Sequence, residues 1–350
     1  MSTANLRELR TALAFRHQAD ISTLPGAANF WSLSKTNNAL AVVDPKTEDD
    51  AQDLGKGDEF PNNVFPVNQD VAVPYEKYAS SECLSYLAVF GLGKFTKTSP
   101  VGSSYLYTCT PLDPVTDGIE LPFTAYVETI RQGGSALLDR AAVGCVVSEW
   151  GLELNSGPGR QNAKVRFNLM GSGIVTQPST ITMPSAFVEH GLNAGSAAIT
   201  ILGSNYVSLK RIVSLQFSWA SNVRGDQGLF PGSGINANGF QTRGRLENGD
   251  RVATLNFKAR LESSSTELAN LLAQTEGTAV FSLQGALISG STYHGAVFTL
   301  HRVRISSAVV DDDQGIVTVS VQIRALKDET DGLITVAATC AQDNIGSAAA

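Results

Sequence analysis

SEWGLELN (148–155) and KVRFNLM (164–170) both alternate apolar and polar side chains. Trp150, Leu152 and Leu154 share one face, opposite Glu149, Gly151 and Glu153. Residues 155–159 turn the chain, and Val165, Phe167 and Leu169 return opposite Lys164, Arg166 and Asn168. A period of two over both arms puts successive side chains on opposite faces, so the stretch predicts a two-stranded hairpin with one buried face. The same plan recurs near the other end of the chain. Val303 and Ile305 alternate with Arg302 and Arg304, the chain turns between Asp311 and Gly315, and Val317, Val319, Val321 and Ile323 return opposite Thr318, Ser320, Gln322 and Arg324.

Working outward, each hairpin closes a similar series of elements. The first copy covers 30–171 and the second 209–326. In the first, residues 30–43 read as extended and 44–63 as a long loop rich in Asp, Glu, Gly, Pro and Asn. Val71, Val73 and Tyr75 then alternate as a strand, with Pro74 pointing to an edge or bulge. Ser80 and Ser81 can cap a helix with Cys83, Leu84, Leu87 and Ala88 on one face, stopped by Gly91. In the second copy a strand over 212–219 precedes a Gly/Asn-rich loop over 220–250, then a strand through Leu255, Phe257, Ala259 and Leu261. Ser264 and Glu267 have the spacing of a capping box ahead of Leu268, Leu271 and Leu272, with Gly277 as the stop. The copies are unequal, since Leu84 to Trp150 is nearly twice as far as Leu268 to Val303.

At 350 residues the chain exceeds the size at which a single core usually stops growing, so two domains are expected. The division reads as an N-terminal arm over 1–29, a first module over 30–176, a connector over 177–208, a second module over 209–341 and a flexible tail over 342–350. Within the arm, Leu6, Leu9 and Leu13 allow one or two helical turns, and an arm pairing with another subunit is the alternative. Apolar residues at 43% and charged residues at 17% argue against wholesale disorder. A net charge of −7 disfavours a protein that grips phosphates through clustered cations. No apolar run is long enough to span a bilayer, and the N-terminus lacks an apolar signal core, so folding in a cytosol is expected.

The chemistry-bearing residues form no catalytic pattern. His17, His190, His294 and His301 make no HExxH pair, and no G-x-S-x-G elbow supports a serine nucleophile. Cys83, Cys109, Cys145 and Cys340 have no metal-ligand spacing and read as reduced, buried cysteines. The run Asp311, Asp312 and Asp313 lacks the spaced oxygens of a calcium loop and reads as a solvated turn. No enzyme activity, cofactor or metal is expected.

Several stretches together resemble the tail tube proteins of long-tailed bacteriophages, in particular members with two tube modules. They are SSECLSYLAVFGLG (80–93), YLYTCTP (105–111), LPFTAYVE (121–128), the pair SEWGLELN and VRFNLMGSG (148–173), RIVSLQFSWASNV with PGSG (211–234) and GIVTVSVQIRALKD (315–328). The resemblance rests on their order over most of the chain. It implies a mainly β protein of two β-sandwich or half-barrel modules, each with one short flanking helix and a long hairpin. Sheets of neighbouring subunits would join edge to edge into rings that stack into a hollow virion tail for genome delivery. It implies synthesis in the host bacterial cytoplasm and partners among copies of itself and other tail proteins: a tape measure, tube-end proteins and, in a contractile tail, a sheath. DNA would pass without specific binding, and no membrane anchor is implied. Ring closure by three chains with pseudo-sixfold symmetry, or by six chains, is left open by the unequal copies. The two long loops are the candidate inter-subunit contacts, through Asp44, Asp49, Asp53, Asp58 and Phe65 in the first copy and Asn222, Asp226, Phe230, Asn236 and Phe240 in the second. The competing readings are another tail, baseplate or neck module, or a β-sandwich ligand-binding protein.

Overall fold

The computed structural model describes residues 7–18, 20–37, 39–49, 64–132, 135–155, 163–178, 181–185, 187–207, 211–263, 265–313 and 315–348. The chain is mainly β. The arm and first module contain β1 (Arg7–Ala14), β2 (Phe30–Trp31), β3 (Val42–Asp49), β4 (Val64–Tyr78), α1 (Ser81–Leu92), β5 (Gly93–Thr98), β6 (Tyr105–Pro111), β7 (Thr124–Gln132), β8 (Ser135–Asn155), β9 (Lys164–Met170) and β10 (Ile174–Thr176). After β11 (Ala198–Ile201) and β12 (Ser204–Asn205), the second module contains β13 (Ile212–Ala220), β14 (Val252–Arg260), α2 (Glu267–Ala273), β15 (Glu276–Ser289), β16 (Thr292–Asp313), β17 (Ile316–Leu326) and β18 (Ile334–Cys340).

The hairpins anticipated from alternation are β8–β9 and β16–β17, both antiparallel, with Trp150 opposite Phe167 and Ile305 opposite Ile323. Around them the copies share one strand order. In the first, β3, β4, β9, β8 and β7 pair in succession. In the second, β13, β14, β17, β16 and β15 do the same. The two copies bury their apolar faces in one continuous core, which includes Val73, Leu87 and Trp150 from the first and Phe217, Phe281, Phe298 and Val321 from the second.

Several local expectations are corrected. The N-terminal segment is not helical: β1 pairs with β7 along one edge and, through Leu13 and Ala14, with β2 of its own chain. Its Leu13 enters the main core while Ala12 and Ala14 enter a second cluster, so the segment is sandwiched between layers. The expected strand over 30–43 is regular only at Phe30–Trp31 and from Val42 onward. Asp44 to Asp49, expected in a loop, form ladder partners for β4, with Pro45 tolerated on this edge strand, and residues 50–63 lie outside the described residues. The tail over 342–348 is fastened, with Ile345 buried, Gly346 N–H donating to Phe15 O at 2.8 Å and Tyr107 Oη donating to Gln342 O at 2.7 Å.

Helix α1 is capped as expected, Ser80 Oγ accepting from Cys83 N–H at 3.3 Å. It is not a flanking amphipathic helix. All its residues are buried, enclosed by β5, β6, β8, β16 and β18. It runs past Gly91 and ends at Gly93, whose φ of 93° suits glycine. The insertion that makes the first copy longer carries β5 and β6, and β6 helps to cover α1.

Helix α2 lacks such a cover, so Leu268 and Leu272 are exposed. Thr266 occupies its N-cap without a side-chain cap bond, Ser264 lies outside the described residues, and Gln274 in the left-handed region ends it before Gly277. The four cysteines are free and buried, as anticipated, and burial pushes the Cys83 and Cys340 thiols up to about 11 and Cys145 to about 12. Such thiols stay protonated and unreactive near neutral pH.

Candidate assembly surface

The copies are joined strand to strand. The C-terminal half of β8 lies between β9 and β13, with Trp150 opposite Trp219, Gly151 opposite Ser218 and Leu152 opposite Phe217. Trp150 packs edge-on against Phe217 with centroids 5.2 Å apart. Trp219 Nε1 donates to Gly91 O at 3.0 Å, tying β13 of one copy to the helix of the other. Gly91 is a window for this joint, since a Cβ there would lie 2.6 Å from Trp150 Nε1. Eight strands thereby form one continuous ribbon in the order β3, β4, β9, β8, β13, β14, β17, β16.

The copies match in detail along the hairpins. β8 carries a register shift between Val147 and Glu149, and β16 carries one between Ile305 and Ser307. The extra residue is serine in both, and its hydroxyl bonds the facing strand alike: Ser148 Oγ donates to Asn168 O and Ser306 Oγ to Gln322 O, each at 3.0 Å. Bulges re-aim the residues beyond them, so a shared bulge fixes which residues are equivalent.

Both ends of the ribbon are open. Among the described residues, β3 pairs only with β4, and β16 beyond Arg304 pairs only with β17. The exposed apolar side chains Val42, Phe65, Val309 and Val310 lie at these ends. Unpaired edges with apolar residues are templates for further strands.

The ribbon's polar face carries charges of both signs among hydroxyls and amides. Glu76 on β4 meets Arg166 Nε at 3.2 Å and Lys164 Nζ at 3.8 Å, while Arg166 Nη2 lies 3.9 Å from Glu153. Ser214, Gln216 and Ser218 continue the face on β13, followed by Asn256 and Lys258 on β14. Such solvated ion pairs contribute little to stability, and the charge is uneven, since the second-copy half of the face carries Lys258, Arg260, Arg324 and Arg304 on facing strands.

The described candidate loop residues lie on the β3–β4 pair and on the 220–250 loop, part of which packs against β4. Asp44 and Asp49 lie on β3 and Phe65 on β4, while Asp53 and Asp58 lie outside the described residues. The 220–250 loop folds back onto its own chain. Gln241 N–H donates to Val67 O at 2.8 Å, Arg243 N–H donates to Ser172 O at 2.7 Å, and the buried Arg243 guanidinium pairs with Asp70. On this loop Asn222 bonds Asp250 O through its amide, Asp226 opens a single 3-10 turn, and Asn236 Oδ1 accepts from Phe240 N–H at 3.1 Å. Phe230 and Phe240 keep part of their surface in solvent.

Sequence reasoning missed a buried polar cluster at the start of α1. Glu82, His190 and His294 bring ligand-type atoms within 4.8 Å of one another, from residues more than a hundred positions apart. Their separation leaves no sequence signal. Glu82 Oε1 lies 2.7 Å from His190 Nδ1, and Ser81 Oγ lies 2.7 Å from His294 Nδ1. Ser81 and Glu82 both address the Nδ1 side of His294, whereas a hydrolytic triad needs serine and acid at opposite ring nitrogens. The imidazoles stack at 3.8 Å and 13°, so their in-plane lone pairs run side by side and one ring would have to turn before both could hold a metal. As it stands, the cluster clamps the connector and β16 onto α1.

Burial holds the His294 pKa below its ordinary value. The folded state therefore disfavours a proton that the unfolded state accepts near pH 6.5. This contribution is absent above that pH and destabilises progressively as pH falls below it, by at most about 1.4 kcal/mol per pH unit for each extra proton. His17, also lowered by burial, acts with the same sign. Urea denaturation between pH 7.5 and 5 should show stability falling, and His294→Gln should flatten the fall. An equal slope in the variant would contradict this assignment.

The fold is built on one long antiparallel ribbon that joins the two copies. A family model described as phage tail tube protein matches residues 9–339, so the chain belongs to the phage tail tube protein family. It is a structural component of a bacteriophage tail. No curated protein matches the chain. Among the described residues, no helix is long and apolar enough to cross a membrane.

Proposed function

We propose that the chain is the subunit that polymerises into the tail tube, and that three chains close each ring with pseudo-sixfold symmetry. The observation carrying this reading is the β8–β13 joint, which unites two copies with the same strand order and leaves the same two kinds of edge open at the ends. A joint formed within the chain can be repeated between chains, and ring closure removes the remaining edges. The ribbon's polar face lines the lumen in this reading, and its mixed charges let the genome pass without adhering. The 30–176 and 209–341 segments act as the two ring modules, with 177–208 connecting them.

The loop residues Asp44, Asp49, Asp53, Asp58, Phe65, Asn222, Asp226, Phe230, Asn236 and Phe240 meet neighbouring subunits or rings. Stacked rings make the conduit for genome delivery, bounded by tube-end proteins and filled before ejection by a tape-measure protein. A contractile tail adds a sheath outside. The chain is made in the host bacterial cytoplasm and acts without enzymatic chemistry.

Negative-stain electron microscopy of concentrated protein should show hollow tubes or rings, and native mass measurement of rings should give three chains. Six chains would overturn the three-chain closure. A monomer at every concentration, also after seeding with tail assembly partners, would overturn polymerisation.

A further inference from the structure

We infer that the seam between chains is made by the end of β16 of one chain on β3 of the next, with Val309 directly opposite Val42. The inference rests on the ring reading above and deepens it by naming the paired residues.

The register follows from the internal joint. The shared serine bulge equates Ser148 with Ser306, hence Gly151 with Val309 and Leu152 with Val310. On the other strand, the ladder runs from β9 to β4 to β3 in one copy and from β17 to β14 to β13 in the other. Phe167 faces Tyr75 as Val321 faces Phe257. Val71 then faces Val43 as Ala253 faces Trp219, so Val42 holds the place of Ser218. Since Gly151 faces Ser218 inside the chain, Val309 faces Val42 between chains.

Exposure supports this register independently. Val42 is 56% exposed and Val309 58% exposed, each with a cross-strand neighbour on one side only, Ala72 and Ser320, where a strand inside a sheet has one on both. The two valines stand at opposite ends of the ribbon, and one register covers both. Val310 would come opposite Ala41, as Leu152 comes opposite Phe217, but Ala41 already gives its N–H to Glu128 Oε2 at 3.1 Å and its carbonyl to Arg140 Nη2 at 2.6 Å, so the seam ladder begins at Val42. The seam differs from the internal joint in two further ways. Gly151 allows a close backbone approach, its missing Cβ leaving Phe217 O at 2.8 Å from that site, whereas the seam has a valine contact there. Ser221 N–H extends the internal ladder by bonding Ser148 O at 2.9 Å, but its counterpart Pro45 has no N–H, so the seam ladder stops at Asp44.

The test is a register-resolved disulfide in the full chain. Because the native cysteines are all buried, background linking is low. Val42→Cys with Val309→Cys, assembled and then oxidised, should give chain-to-chain links on a non-reducing gel, ending at a three-chain species. The slipped pairs Val42→Cys with Ser307→Cys and Val42→Cys with Asp311→Cys lie one diagonal away, at about 7–8 Å, beyond the usual disulfide span. They should link at least about tenfold more slowly, and each single variant should not link. If rings are visible by microscopy but the matched pair links no faster than the slipped pairs, the seam is overturned while the ring reading stands. If the unsubstituted protein forms no rings, the ring reading fails first.

Discussion

Val319→Asp should yield no folded subunit at neutral pH. Val319 is fully buried at the centre of β17, opposite Ala259 on β14 and Val310 on β16. An aspartate there has no cationic partner on the facing positions, and burying an unpaired carboxylate costs several kcal/mol even when the group neutralises itself. The lost valine packing adds roughly 1–3 kcal/mol. Together these approach the roughly 5–15 kcal/mol that keeps a domain folded. Expression would give insoluble protein, or soluble protein without a cooperative melt. The control is Val317→Lys, a charge two residues away on the same face and opposite Asp312. Val317 is 46% exposed because the hairpin tip extends beyond the core, so the change should stay within about 0.5 kcal/mol. A Val319→Asp protein melting like the parent would mean that the face is misassigned.

This contrast marks what the sequence could reveal. Alternation identified Val303, Ile305, Val319, Val321 and Ile323 as one buried face, because a period of two is local and strong. It also placed Val317 there, since nothing local records where the core ends. The burial of α1 was hidden for a similar reason. Its cover comes from β6 and from β18, and the latter is distant in the chain. Gly91 therefore read as a helix stop, although its lack of a side chain serves Trp150 and its carbonyl serves Trp219. Residues 44–49, expected in a loop, entered a strand once β4 offered ladder partners. The open edges, which carry the assembly reading, are properties of pairing and could not be read from any single segment.

Breaking the Arg211–Glu267 pair should cost about 3–5 kcal/mol from either side, because each single change leaves the other charge buried and uncompensated. Both side chains are 1% exposed and meet at 2.7 Å. Arg211 also donates to Arg260 O at 2.9 Å and to Ser265 Oγ at 2.6 Å, while Tyr206 Oη donates to Glu267 Oε1 at 2.8 Å. The sequence assigned Glu267 to a capping box, where it would have turned toward the start of its own helix. It ties α2 to the base of β13 and supplements Leu271, which packs against the core while Leu268 and Leu272 face outward. Among the described residues Glu267 Oε2 has no hydrogen-bond partner, so the pair is incompletely satisfied. Replacing both charges should therefore recover most of the loss, since buried ion pairs often exchange for apolar residues at little net cost. Urea denaturation of Arg211→Met, Glu267→Met and the double variant would give the coupling energy directly. Losses that simply add in the double variant would show that the two groups stabilise the fold independently and that α2 is held in some other way.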